Sequence, residues 1–150
     1  MGHRISWDNE DQTVVLQEYT DPATKDDLYH LAQKSAQMLH TVQHTVHLIV
    51  DERNIHFPFT PGDLVYLAEQ EPENEGAAMV IVPPSKVAFK IAYQKLSERI
   101  SRKSFVNTYY VGSLEEARQV LQDRFHVRYP APTPPEKPRL ENTQNTSPAT

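Results

Sequence analysis

The run Val46-His-Leu-Ile-Val50 ends in Asp51, and Thr60-Pro61-Gly62 follows it across a loop that holds Ile55, Phe57 and Phe59. A short continuous apolar run suits a strand covered on both faces. A hydroxyl followed by proline suits a helix start, because the side-chain oxygen takes a free amide and the proline has none to leave unpaired. Leu64, Val65 and Leu67 give this second helix its apolar side. The same unit then recurs. Ala77 to Val82 is another buried strand, stopped by Pro83-Pro84, and Ser85 is placed to cap a third helix carrying Val87, Ala88, Ile91, Ala92 and Leu96. Phe89, Tyr93 and Ile100 widen that stripe, so the third helix is expected to pack deeply. Phe105 to Val111 reads as a fifth strand, and Ser113 with Glu116 forms a capping box for a fourth helix striped by Leu114, Ala117, Leu121 and Phe125.

Ahead of this series, Ile5 to Trp7 and Thr13 to Tyr19 flank the polar cluster Asp8 to Gln12 and read as a hairpin. Asp21-Pro22 breaks the second strand. Thr24 and Asp27 then begin a first helix that runs to about His40, with Leu28, Leu31, Ala32, Ser35, Ala36 and Leu39 inward. The expected order is β-β-α-β-α-β-α-β-α, an α/β domain over residues 1–129. From Pro130 to residue 150 prolines accumulate and Leu140 is the only large aliphatic residue, so this segment is expected to be a disordered tail.

A chain of 150 residues has room for one domain. It contains no cysteine, which favours a reducing compartment, and no apolar run suits a signal peptide or a membrane span; a cytoplasmic protein is expected. The net charge of -5 argues against nucleic acid as a partner. It is unevenly spread. Lys86, Lys90, Lys95, Arg99, Arg102 and Lys103 make the third helix and its exit basic, with Glu98 the lone acid. Such a face can meet an acidic partner, a phosphate or an anionic membrane surface, although it is more often simply the solvated side of a helix.

Chemistry-bearing patterns are sparse. His40, His44 and His47 fall on a helix end, a loop and a strand, and so do not present three imidazoles on one face; neither a metal nor a cofactor is expected. Glu73, Glu75, Glu115 and Glu116 show no neighbour in sequence that would set apart an acid and a base. Largely parallel sheets bind ligands beyond the carboxyl ends of their strands. Here those ends offer Asp51, Arg53, Asn54, Ser85, Lys86 and Ser113, a rim suited to a small anionic or polar ligand.

The element order and three strings resemble the STAS domain, the fold of anti-sigma-factor antagonists, and in particular bacterial proteins similar to stage II sporulation protein AA. The strings are Ile5-Ser-Trp-Asp8 leading into Val14 to Tyr19, Val46 to Asn54, and Val111 to Arg118. The resemblance implies a mixed, mostly parallel five-stranded sheet with four helices and a non-enzymatic, regulatory role in protein binding. Signalling members carry an Asp-Ser pair before the second helix whose serine is phosphorylated. Counting from Asp51 places Phe59 in the acid's position and Thr60 in the serine's, so Thr60 is the candidate for phosphorylation. The acid is missing and Pro61 follows, which argues against the switch and for constitutive docking of a protein partner through Ile55, Phe57, Phe59, Thr60 and Tyr66. The alternative is a small-molecule or lipid carrier using the rim or an apolar gap behind the second helix. An enclosed apolar cavity favours the carrier, and a solid core with a proud apolar rim favours docking.

Overall fold

The structure, a computed structural model, describes residues 2–97 and 107–130. Ile100, Arg99, Arg102, Lys103, the first residues of the expected fifth strand and the tail after Pro130 lie outside them. The α/β order expected from the sequence is present. One sheet holds β1 (His3–Trp7), β2 (Val14–Tyr19), β3 (Val46–Asp51), β4 (Glu75–Ile81) and β5 (Thr108–Val111) in chain order. The first pair is antiparallel, with Trp7 opposite Val15, and the rest run parallel. Four helices complete it: α1 (Lys25–His40), α2 (Pro61–Gln70), α3 (Val87–Ser97) and α4 (Leu114–Phe125). Among the described residues, no helix is long and apolar enough to cross a membrane.

Local chemistry sets the element ends. Buried Asn9 organises the hairpin turn: its Oδ1 accepts the amides of Thr13 (2.9 Å) and Val14 (3.2 Å), while its Nδ2 donates to Thr13 Oγ1 and to the Arg128 carbonyl. Thr24 caps α1, its amide donating to the Asp27 carboxylate at 2.7 Å. Ser113 caps α4, with Oγ accepting the Glu116 amide at 3.1 Å. Ser85 does not start a helix as expected; it lies within a 3-10 turn, Pro84–Lys86, that leads into α3. The chain stays anchored to its described end, where the Tyr129 hydroxyl donates to Asp8 at 2.6 Å and Arg118 grips the same carboxylate with two nitrogens.

Right-handed crossovers between parallel neighbours taken in one direction carry α1, α2 and α3 to the same side of the sheet. Of the described helices only α4 covers the other side, and it seals the central strands while Arg4 and Ser6 of β1 stay exposed there. Val14, Leu16, Ile49, Met79, Ile81 and Val111 meet Ala117 and Leu121 there in one continuous buried core. Across the sheet the packing is divided into two smaller clusters, one around Val15, Leu39, Val46 and Leu48 and one around Tyr19, Leu28 and Leu31. Both lie under α1. Helix α2 rests on α1 and has no comparable packing on any strand, and among the described residues α3 packs on the sheet chiefly at edge strand β5. The third helix is therefore not deeply packed: Phe89 is 68% and Tyr93 50% exposed. Val65, expected on the inner side of α2, is also exposed.

Candidate functional site

Because α2 stands off the sheet, a cavity of about 570 Å³ opens beneath it, within the range of roughly 300–1,000 Å³ typical of small-molecule sites. Strand alternation lays out its floor. Residues i and i+2 share a face, so Leu48 and Val50 of β3 and Ala78 and Val80 of β4 look into the cavity, whereas Ile49 and Met79 enter the opposite core. Gln17 pairs with Val50, Val50 with Val80, and Val80 with Tyr110, so two polar side chains bracket an apolar row across the sheet. Helix α1 supplies Leu28, Ala32, Ser35 and Ala36 as one wall, and Leu64, Leu67 and Ala68 of α2 form the roof.

Two polar groups in this apolar setting have no side-chain partner among the described residues. Gln17 is 7% exposed and Ser35 5%, both line the cavity, and neither side chain has a hydrogen-bond partner among the described residues. A buried amide left unpaired costs on the order of 1–3 kcal/mol. Such groups are ready to meet a polar atom of a ligand.

The ends of the cavity carry charge. Glu52, Arg53, Lys86 and Lys90 sit toward the carboxyl ends of the strands, and Glu71 and Glu75 toward the amino ends. Burial pushes the Glu52 carboxyl up to about 7, against the pull of Lys90 and with the help of Asp51. Burial and the neighbouring Glu71 raise Glu75 to about 8. Burial also raises the Tyr110 phenol to about 12, with Glu52 and Tyr93 adding to the effect. Near neutral pH these two carboxyls are substantially protonated, so they can donate as well as accept hydrogen bonds.

A polar clamp holds the roof at one end. Buried Asp63 of α2 takes the Thr60 amide at 2.7 Å, the Lys25 ammonium, and the Tyr29 hydroxyl at 2.6 Å. The Lys25 contact, then the Thr60 amide and Tyr29, hold its carboxyl well below the usual range. Tyr66 meets Tyr29 edge-on, with ring centres 4.7 Å apart, and accepts from Gln33.

The residues expected to dock a partner fall around the same cavity. Ile55, Phe57 and Phe59 line it and are half-buried, with the two phenyl rings stacked 5.9 Å apart and packed toward Tyr19, Leu28 and Leu31. Thr60 is the N-cap of α2, its Oγ1 accepting the Asp63 amide at 3.2 Å. Tyr66 belongs to the α1–α2 clamp and does not line the cavity.

The expected ligand rim is divided. Arg53 and Lys86 reach the cavity. Asp51 is taken up by a two-point ion pair with Arg53 at 2.7 and 2.9 Å, Asn54 donates to the Tyr19 carbonyl, and Ser113 caps α4. Ser85 is exposed in its turn. The histidines go to separate places: His40 ends α1, His44 contacts the Gln12 carbonyl, and His47 is buried in the sheet.

Ser35 was expected on the inward stripe of α1 and is buried there, Glu75 was read only as a carboxylate without an acid/base partner, and Gln17, Glu52 and Tyr110 went unnoticed in the sequence. The signal for Gln17 was its place in β2 two residues from Val15 and from Tyr19, since alternation puts all three on one buried face. No family model, curated protein or solved structure matches this chain.

Proposed function

We propose that this protein binds an amphipathic small molecule, apolar in its body and carrying hydrogen-bonding groups, in the cavity beneath α2. The supporting observation is the cavity itself: apolar walls, a small-molecule volume, and the unpartnered amide of Gln17 in its floor. An interaction module of the STAS type is the second reading, favoured by the shared element order. It requires aromatic rings that stand free for a partner, and Phe57 and Phe59 are instead half-buried around the cavity.

The test uses parinaric acid, a fluorescent fatty acid. The protein should take it up saturably at one site. Ala78→Phe places a ring into the cavity from its floor and should weaken uptake at least tenfold, about 1.4 kcal/mol, while filling empty space and so leaving the thermal midpoint unchanged or higher. Equal uptake by the folded Ala78→Phe protein would remove the cavity as the site.

A further inference from the structure

Among the described residues, the outer side of α3 gathers most of the exposed large hydrophobic side chains. Ala88 and Ala92 are exposed, and with them Phe89 at 68%, Tyr93 at 50% and Ile91 at 39%. From Pro84 to Ser97 the chain holds Lys86, Lys90 and Lys95 and no acidic residue, in a protein whose net charge is -5. Phe89 and Tyr93 belong to this surface and also line the cavity, so the surface is continuous with the cavity mouth.

We infer that α3 seats the mouth of the cavity on an anionic lipid bilayer. This inference rests on the ligand-binding reading above and names where the amphiphile is taken up and released. A helix that lies in a membrane interface buries an apolar face among the headgroups and keeps cations at its margins, where anionic lipid attracts them. Lys90 of α3 and Lys86 just ahead of it flank the apolar residues on the cavity side, and Lys95 stands one turn from Ile91 on the exposed side. Aromatic rings at a water–lipid boundary are favoured for the same reason, since an apolar body meets the acyl region. An acidic protein would satisfy the lysines, but it would leave the apolar side chains without a partner of matching depth.

The experiment is co-sedimentation of the full chain with vesicles of phosphatidylcholine alone and of an equimolar mixture of phosphatidylcholine and phosphatidylglycerol. The protein should pellet with the anionic vesicles and not with the neutral ones. Raising salt from about 0.1 M to about 1 M shortens the screening length from about 10 Å to about 3 Å and should release it. Ile91 and Lys95 are one helical turn apart, exposed, and outside the cavity lining. Lys95→Gln should lower partitioning about fivefold, the worth of one lysine near an anionic surface, and adding Ile91→Ser should lower it further. Both variants should still take up parinaric acid in solution, and Ala78→Phe, which blocks the cavity, should still pellet. No pelleting with anionic vesicles, equal pelleting with neutral ones, or a concentration-dependent dimer lost in the Ile91→Ser/Lys95→Gln variant would overturn membrane docking. None of these results would bear on uptake of the soluble probe.

Discussion

His47 shows how one side chain can repair a sheet. The pairing of β3 and β4 slips between Val46 and Leu48, so Gly76 and Ala77 form a bulge that leaves the Ala77 amide without a ladder partner. His47 Nδ1 accepts that amide at 2.9 Å, which puts the ring proton on Nε2, and burial lowers the pKa of the imidazole. Gly76 makes room for the ring, since a Cβ there would fall 2.5 Å from Nδ1 and 2.8 Å from the Thr45 methyl. Gly76→Ala should therefore cost about 1–3 kcal/mol in denaturant titration, through overpacking against a ring that cannot move without freeing the amide.

Glu52 and Glu75 make a second prediction at this scale. Their folded pKa values, about 7 and about 8, lie above the ordinary 4.5, so the folded state holds protons that the unfolded chain has lost. Their contribution to stability is complete below pH 4.5 and is lost as pH rises through 8. His47 acts oppositely, losing stability as pH falls below its ordinary 6.5. The difference in thermal midpoint between wild type and Glu52→Gln/Glu75→Gln isolates the acids; the double variant should gain relative to wild type as pH rises across that window. Neither acid was legible in the sequence, because a raised pKa depends on what surrounds a carboxyl and not on its neighbours in the chain.

At the scale of elements, the strands and caps were legible and the coverage of the helices was not. Val46 to Val50 is apolar but for His47 and Ala77 to Val82 is apolar throughout, Thr24, Thr60 and Ser113 cap where expected, and these features follow from local chemistry. A stripe with helical spacing shows only that one side of a helix is apolar. On α1 and α4 the stripe meets the sheet. On α3 it meets solvent at Ile91 and the cavity mouth at Phe89 and Tyr93. Helix α2 is fixed mainly by its polar contacts with α1, and Asp63 is its only buried residue. Asp63→Asn keeps the shape but removes the charge that Lys25 answers, so it should loosen α2. Hydrogen exchange should speed up across Leu64 to Gln70 while amides of β3 and β4 keep their protection, and unchanged exchange in α2 would show that apolar contacts hold the roof.

The whole molecule is a sheet with one sealed side and one side left partly hollow, and a single strand senses both. Ile49 and Val50 are adjacent in β3; the first is fully buried under α4 and the second faces the cavity. Ile49→Ala should cost about 2–5 kcal/mol. Val50→Ala should cost about 1 kcal/mol, because two methyl groups are lost beside a void that already exists. Chemical denaturation of the two variants measures the contrast directly, and equal losses would mean that the two sides are equally well packed.

The sealed side also has an order in time. Every strand of the sheet pairs with its neighbour in the chain, so β1 to β4 can assemble from local contacts as the polypeptide lengthens. The helix that covers their other side comes last. Arg118 and Tyr129 close the structure onto Asp8 across separations of 110 and 121 residues. During synthesis, Val14, Leu16, Ile49, Met79 and Ile81 would form an apolar surface before α4 exists to cover it. In this interval a chaperone would protect the nascent chain most effectively, and a ribosome stalled before Leu114 would hold its most aggregation-prone form.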